Sequence, residues 1–279
     1  MQVAAGWGFS GRGRATVPKN TYRNAEGKTL PSVTTILKEK GEDPGGLMHW
    51  AWKIGTEGGD YRDERGRAAS IGTVAHRGVE NDIRGLPFDV EAMRDVWDDE
   101  AVDCVVRALE AWAAWKERTR MKPIITELMD VSERLQYGGQ LDIVAMINGK
   151  RAVVDLKATN ALHAKNICQT RAYGYIWDEK HPDEPIEEYH LLRLGKEDAA
   201  FHHSYYDRHS PTIRVAMLTW LNCRENYMLN RPLGGGPFQR DWERLWWAIM
   251  DERVKVGPVR PDELAQEMEE RGFHKGPSF

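Results

Sequence analysis

The Asn148-Gly149 dipeptide, set between two apolar runs, constrains the fold of this chain more than any other feature of its sequence. Asn-Gly in this setting is the strongest short signal for a β-hairpin, because both central residues of a type I′ turn need a positive φ. A two-residue loop makes Ile147 face Lys150, and the same register makes Asp142 face Asp155 on the neighbouring strand. The sequence therefore predicts a hairpin with two directly opposed aspartates.

The opposed aspartates bring two carboxylates to roughly 5 Å from each other, where like charges destabilise a sheet. A shared proton, a bound cation or exposure to water can offset the repulsion. Lys157 shares the face of Asp155, since side chains two residues apart point the same way. Two carboxylates suit Mg²⁺ or Mn²⁺, whereas Asp155 and Lys157 alone are also compatible with a surface ion pair. The opposite face is apolar and predicts the core: Leu141, Ile143, Ala145, Ile147, Ala152, Val154 and Leu156.

Polar residues elsewhere in the chain stand at positions that suit such a site. His76 lies on the apolar face of a helical pattern, and Glu80 follows one turn later. Glu127 lies in the middle of a predicted strand, where a buried carboxylate needs a partner. Gln169 and Tyr173 are i, i+4 neighbours on one predicted helix. Taken singly, a histidine on an apolar face is more often a satisfied core residue, and an i, i+4 pair is ordinary.

Hydrophobic periodicity predicts helices, three strands, a helix, two strands and further helices, an order typical of an α/β or α+β sandwich around one sheet. The 279 residues are enough for one large domain or two small ones. We expect an arm, hairpin and helices over 1–60, a core over 61–230 and a helical extension over 231–279. Helices are predicted over 33–40, 47–57, 62–84, 90–120, 161–180 and 211–229, strands over 124–131, 140–147, 151–157, 188–194 and 200–206, and a short hairpin over 22–30.

Composition excludes several classes of protein. The longest apolar stretch, Leu245 to Met250, is far shorter than the roughly 20 residues of a transmembrane helix, and the N-terminus has no apolar signal segment. The three cysteines are widely spaced and form no C-x-x-C pair, so a structural zinc site, a four-cysteine iron–sulfur cluster and a disulfide scaffold are not expected. We therefore expect a protein of a reducing, cytoplasmic compartment with no membrane partner.

Five pieces of sequence stand in a characteristic order: Gly72-x3-His76-x3-Glu80, Glu127, Gly138-Gly139-x2-Asp142, Asp155-x-Lys157 and Gln169-x3-Tyr173. In that order and spacing, over about residues 70–177, the chain resembles the RecB-type exonuclease branch of the PD-(D/E)XK nuclease superfamily. Residues 32–37 also resemble the opening of phage-encoded and mitochondrial members. The resemblance implies an α/β, restriction-endonuclease-like core, with a central mixed β-sheet flanked by helices and with helical N- and C-terminal additions.

The resemblance also implies roles for these residues. In that family a histidine, two aspartates and the carbonyl after the second aspartate hold Mg²⁺ or Mn²⁺, as one or two ions. The family lysine orients or deprotonates the attacking water and stabilises charge on the phosphate. The implied metal ligands are His76, Asp142, Asp155 and the Leu156 carbonyl, the implied catalytic residues are Asp142, Asp155, Lys157 and Glu127, and the residues implied in DNA binding or support of the site are Gln169, Tyr173 and Glu80.

The implied function is a metal-dependent exonuclease of linear single- or double-stranded DNA, working in phage or bacterial recombination, repair or processing, with a recombination or annealing protein as a candidate partner. Some RecB-type nucleases carry an iron–sulfur cluster on four cysteines. This chain has only three cysteines, so such a cluster is not expected. Two alternatives stay open: a structure-specific or restriction-type endonuclease of the same superfamily, and a DNA-binding recombination accessory without catalysis. The set of Asp142, Asp155 and Lys157 favours catalysis, and the His76 motif favours an exonuclease.

Overall fold

The computed structural model describes residues 9–10, 14–15, 20–41, 45–158, 162–233 and 242–271. Two pairs of two-residue antiparallel strands lie near the N-terminus: β1 (Phe9–Ser10) with β2 (Arg14–Ala15), and β3 (Tyr22–Arg23) with β4 (Thr29–Leu30). The second pair is the predicted short hairpin. It turns at residues 25–27, where Gly27 adopts a φ of 77°.

A five-stranded mixed sheet forms the centre of the molecule, in the order β5-β6-β7-β8-β9. All neighbours are antiparallel except β7 and β8, which are parallel and are joined by a crossover helix. A central mixed sheet flanked by helices was expected from the sequence and is confirmed. The strands are β5 (Lys122–Ser132), β6 (Tyr137–Ile147), β7 (Lys150–Lys157), β8 (Glu188–Leu194) and β9 (Phe201–Asp207).

The helices largely follow the predicted pattern. The predicted helix over 90–120 is instead a 3-10 turn and a helix, because Asp98 caps the N-terminus of the second element by accepting a hydrogen bond from the Ala101 N–H (2.9 Å). The predicted cap at Thr159-Asn160 lies outside the described residues. The helices are α1 (Val33–Ile36), α2 (Gly45–Thr56), α3 (Tyr61–Arg84), α4 (Asp99–Thr119), α5 (Ala164–Lys180), α6 (Pro211–Leu233), α7 (Trp242–Val256) and α8 (Pro261–Glu270), with 3-10 turns at Leu37–Lys40 and Glu91–Asp95.

The hairpin at Asn148-Gly149 forms with the predicted register. Asn148 and Gly149 adopt φ values of 51° and 81°, as the tight turn requires. Pairing between β6 and β7 runs from Ile147↔Lys150 to Ile143↔Val154. Beyond that pair the Leu156 N–H donates a hydrogen bond to the carboxylate of Asp142 (2.7 Å). At the position where the two aspartates were expected to face each other, the side chain of Asp142 therefore accepts a backbone hydrogen bond.

Both faces of the β6–β7 hairpin are buried, which corrects the expectation that only one face of the hairpin contributes to the core. One face packs Ile143, Ala145 and Val154 against α3 and α4. The other packs Val144 and Val153 against α5 and α6, in the same cluster as residues of α1 and α7. The hairpin is central in the sheet, so helices cover it from both sides.

The C-terminal helices pack on the second of these faces. Leu245 and Ile249 of α7 belong to the same core cluster as Trp220 of α6, and Arg253 forms an ion pair with Glu225 (2.6 Å). Helix α8 contains no fully buried side chain. None of the helices in the described ranges combines the length and the hydropathy needed to cross a lipid bilayer.

Candidate metal centre

Helix α3 brings His76 to the sheet. Its N-terminus is capped by Asp60, which accepts a hydrogen bond from the Arg62 N–H (2.8 Å), and it ends at Gly85 with a φ of 66°. A Cβ on Gly78 would lie 2.7 Å from the Leu109 side chain, so this glycine lets α3 pack closely on α4. The resulting helix pair lies on the sheet and presents His76 to the strands.

Strands β5 and β6 supply two carboxylates from opposed positions of the pair, Glu127 and Asp142. The described register passes from Thr126↔Ile143 to Leu128↔Leu141. Between them Glu127 adopts a φ of 54°, in the left-handed region that non-glycine residues seldom occupy. A strained backbone at this point is a feature that clusters at functional sites.

His76, Glu127 and Asp142 form one group, in which one potential ligand atom from each residue lies within 4.8 Å of the others. The His76 Nδ1 atom lies 3.8 Å from a carboxylate oxygen of Asp142. The side chains of His76 and Asp142 are 28% and 13% exposed, so solvent reaches the group. Burial lowers the pKa of His76, although the charge of Asp142 acts in the opposite direction. The neutral imidazole that results is the form that binds metals.

Leu156 contributes its backbone to this group. Its N–H donates a hydrogen bond to Asp142, and its backbone also forms a hydrogen bond with the imidazole of His76. The Thr126 hydroxyl donates to the Asp142 carbonyl (2.9 Å), which ties β5 to β6 beside the site. The resemblance implied a ligand role for the Leu156 carbonyl, and the backbone of Leu156 lies in contact with two of the three grouped residues.

Asp155 and Lys157 form an ion pair beside the group. Lys157 Nζ lies 2.6 Å from Asp155 Oδ2, and Asp155 is only 1% exposed. Burial, together with the charge of Asp142, raises the pKa of Asp155. Burial disfavours the charged form of Lys157, but the charges of Asp155 and Asp142 outweigh it and raise the lysine pKa. Lys157 is therefore an ammonium at neutral pH.

The pKa of Glu127 indicates that negative charge is concentrated around this residue. Burial, followed by the charges of Asp142 and Glu80, raises its pKa to about 8. The Gln140 amide donates a hydrogen bond to Glu127 and accepts one from the Asn20 amide (2.5 Å). A divalent cation between such oxygens favours their ionised forms.

The donor set fits Mg²⁺ or Mn²⁺. It offers two carboxylates and an imidazole, with a backbone carbonyl close by. Among the described residues, no group donates a hydrogen bond to the buried Oδ1 of Asp155. A buried carboxylate oxygen without a donor is costly, and a cation is one partner that satisfies it.

Glu80 lies near the group but is held by arginines. Arg77 and Arg84 each place a guanidinium nitrogen 2.6 Å from one of its carboxylate oxygens. The carboxylate is buried and contributes negative charge that acts on Glu127. This position suits an electrostatic role at the site more than direct ligation.

Helix α5 closes the site from the other side. The Gln169 amide donates a hydrogen bond to the Tyr173 hydroxyl (2.7 Å). Burial, followed by the charges of Asp155 and Asp142, raises the pKa of Tyr173 well above its usual range. A Cβ on Gly139 would lie 2.6 Å from the Tyr173 ring, so this glycine is what lets the ring lie against β6.

The structure thus brings together the residues selected from the sequence, though not as one ligand set. His76, Glu127 and Asp142 share the three-residue group, whereas Asp155 lies beside it, paired with Lys157. Sequence reasoning gave no role to Thr126, Gln140, Arg77 or Arg84. The arginines flank Glu80 at i−3 and i+4, a spacing that could have identified them.

Comparisons with known proteins add little to this site. No family model matches the chain, and no curated protein matches it. Among solved structures, the crystal structure of SSO0001 is 14% identical and is matched over 69% of this chain and 85% of that chain, with a TM-score of 0.28. At that TM-score the likeness carries no argument about fold or function.

Proposed function

We propose that this protein is a Mg²⁺- or Mn²⁺-dependent deoxyribonuclease of the RecB-type exonuclease branch of the PD-(D/E)XK superfamily. One observation carries the proposal. His76, Glu127 and Asp142, which come from α3, β5 and β6, have potential ligand atoms within 4.8 Å of one another. The ion pair of Asp155 and Lys157 lies beside them on β7.

The sheet supports the finer assignment of a restriction-endonuclease-like core. Its two acidic strands, β6 and β7, are antiparallel neighbours, and α5 then crosses over to the parallel strand β8. The crossover helix carries Gln169 and Tyr173 back to the acidic residues. This connection explains how positions far apart in sequence contribute to one site.

The chain's own residues provide three functions in hydrolysis. His76, Glu127 and Asp142 hold the cation, with Asp155 and the Leu156 carbonyl next to them. The bound cation supplies Lewis acidity toward water and the scissile phosphate. Lys157, as an ammonium, binds a phosphate oxygen or orients the attacking water rather than acting as a base.

Gln169 and Tyr173 hold α5 against the site and contact the DNA strand. The Tyr173 hydroxyl accepts from Gln169, which leaves its own proton for a phosphate or for a carboxylate of the site. The partner is linear DNA, and the process served is recombination, repair or processing of DNA ends.

The test is digestion of end-labelled linear, nicked and covalently closed circular DNA, each with Mg²⁺, with Mn²⁺ and with EDTA. We expect linear DNA to shorten progressively, closed circles to survive, and EDTA to stop the reaction. Circles cut as fast as linear molecules, or discrete sequence-defined fragments, would favour the endonuclease alternative. DNA binding without cleavage under every metal condition would favour the non-catalytic accessory and overturn the proposal.

A further inference from the structure

A cavity of about 510 Å³ lies on the α5–α6 side of the sheet. Its walls come from β8, β9, α5 and α6, and α8 lies across it with Leu264 and Met268. The volume falls within the roughly 300–1,000 Å³ of sites that take small organic molecules. None of the residues of the candidate metal centre lines it, so it is a separate site.

The walls are mainly apolar. Leu191 stands on the sheet, Ile167 on α5, Val215 on α6 and Leu264 on α8. A ligand with an apolar body gains by leaving water for such a chamber. An entirely polar or highly charged ligand would lose its hydration without replacement partners.

Cationic side chains line the same cavity, namely Lys40, Arg193 and Arg271, and no Asp or Glu is among its described lining residues. Arg271 is already engaged: it lies over the Tyr206 ring, 4.1 Å from its centroid, and pairs with Glu267. Within the described ranges, neither Lys40 nor Arg193 has a carboxylate within ion-pair distance. Among the described residues, the cavity therefore combines apolar walls with two cationic side chains that have no acidic partner.

We propose that this cavity binds a small organic anion, with its apolar body against the aliphatic walls and its anionic group at Lys40 and Arg193. The proposal stands independently of nuclease activity. The cavity is nevertheless a neighbour of the candidate metal centre. Arg193 is the register partner of Lys157 in the parallel pair β7–β8, and the two residues lie on the same face of the sheet. A mononucleotide and an unrelated amphiphile are both candidates, because each joins an anionic group to a less polar body.

The test is calorimetric titration of the full chain in EDTA, which keeps divalent cations out of the candidate metal centre. The ligands are 1-naphthyl phosphate, 1-naphthol, inorganic phosphate and thymidine 5′-monophosphate. We expect 1-naphthyl phosphate to saturate one site, and naphthol and inorganic phosphate to bind at least ~10-fold more weakly, which is about 1.4 kcal/mol each. Tighter binding of the nucleotide than of naphthyl phosphate assigns the site to nucleotides, and weaker binding assigns it to another amphiphile.

Variants locate the binding. Arg193→Gln and Lys40→Gln should each weaken 1-naphthyl phosphate by ~10-fold, and Val215→Phe should block it by filling the chamber. Lys38→Gln is the matched control, because Lys38 is an exposed lysine of the same 3-10 turn that does not line the cavity. Failure of 1-naphthyl phosphate to saturate, or wild-type affinity in both Arg193→Gln and Lys40→Gln, would overturn the proposal.

Discussion

Asp142 is the residue on which most of the site depends. Its carboxylate accepts the Leu156 N–H, lies near His76 and adds to the negative charge around Glu127. Asn at this position keeps an oxygen that can accept the backbone hydrogen bond but removes the charge. We expect Asp142→Asn to fold, to bind Mn²⁺ at least ~10-fold more weakly and to lose DNA cleavage, since even indirect support of a metal ligand is worth ~10–100-fold.

The control for this substitution is Asp130→Asn. Asp130 is also a half-buried strand carboxylate that accepts a backbone N–H, here that of Val131 (2.7 Å), but it is not in the metal group. It should leave Mn²⁺ binding and cleavage unchanged. Mn²⁺ titration by calorimetry, with unfolding in urea as the check on folding, makes the comparison. Wild-type Mn²⁺ affinity in Asp142→Asn would remove the residue from the site.

A substitution of Lys157 distinguishes an effect on the chemical step from an effect on DNA binding. We expect Lys157→Met to lower turnover by ~10²–10⁴-fold, because the ammonium contacts developing charge, while DNA affinity measured in Ca²⁺ changes little. Lys150→Met, at the other end of β7, removes an ion pair with Glu188 (2.8 Å) and should leave turnover unchanged. A loss of DNA affinity in proportion to the loss of rate would contradict a role in the chemical step.

At the residue scale, the sequence identified which side chains matter better than it identified their arrangement. The hairpin register predicted that Asp142 and Asp155 face each other, yet the grouped acids are Glu127 and Asp142. The difference comes from Glu127, whose φ of 54° is not signalled by its residue type. Left-handed backbone can be read from glycine or asparagine, as at Asn148-Gly149, but not from glutamate.

At the scale of elements, the contact between β6 and α5 depends on a missing side chain. A Cβ on Gly139 would meet the Tyr173 ring at 2.6 Å. We expect Gly139→Ala to destabilise the protein by about 1–3 kcal/mol, as overpacking does, and to lower cleavage by displacing Tyr173. Urea unfolding and a cleavage assay on the folded fraction measure the two effects.

Gly55→Ala provides the opposite case. Gly55 lies inside α2 and a Cβ there meets nothing within 4 Å. The substitution should stabilise the protein by roughly 0.5–1 kcal/mol, because alanine loses less backbone entropy in a helix. Equal effects of the two substitutions would show that the contact with Tyr173 is not what requires Gly139.

The pairing of β8 with β9 predicts a dependence of stability on pH. Burial, followed by the charge of His190, lowers the pKa of His203 from 6.5 to about 4. Between those values the unfolded chain binds a proton that the folded chain does not, so this contribution is complete above pH 6.5 and falls as the pH is lowered toward 4. His203→Gln should therefore lose less stability than wild type on acidification through that window.

The measurement is urea unfolding of wild type and His203→Gln at several pH values across this window. His202→Gln serves as the control, because His202 is the exposed neighbour on the same strand. The hydrogen bond with His190 lowers the pKa of Glu188 from 4.5 to about 2, so Glu188 adds to the loss of stability only below about pH 4.5, and the comparison is made between pH 6.5 and 4.5. Parallel pH profiles for wild type and His203→Gln would contradict the assignment.

At the scale of the whole molecule, the C-terminal helices are unequal in their contribution to stability. Helix α7 places Leu245 and Ile249, 2% and 0% exposed, in the main core cluster, whereas α8 has no fully buried side chain. In a chain that ends at residue 233, the free energy of unfolding should fall by roughly 3–6 kcal/mol from the loss of these two side chains alone. In a chain that ends at residue 258, it should fall by much less. Thermal unfolding of both beside the full chain tests this, and equal losses would contradict it.

Much of the fold could be predicted because it follows from local patterns. The Asn-Gly turn set the register of β6 and β7, and apolar periodicity located α3, α5, β8 and β9. The burial of both sheet faces could not be read from the hairpin, whose second face mixes Val144 and Val153 with charged residues. That face is covered by α5, which follows β7 directly, and by α6, which is distant in sequence, and local patterns do not show which face of the sheet either helix covers.

The left-handed backbone at Glu127 has a consequence for evolution and for engineering. The conformation costs a non-glycine residue roughly 1–2 kcal/mol, and the carboxylate it carries is half-buried among like charges. Glu127→Gly relieves both penalties at once. Laboratory selection for heat resistance alone should therefore enrich replacements at this position early, so thermostable variants obtained without an activity screen would be the first to lose the metal centre.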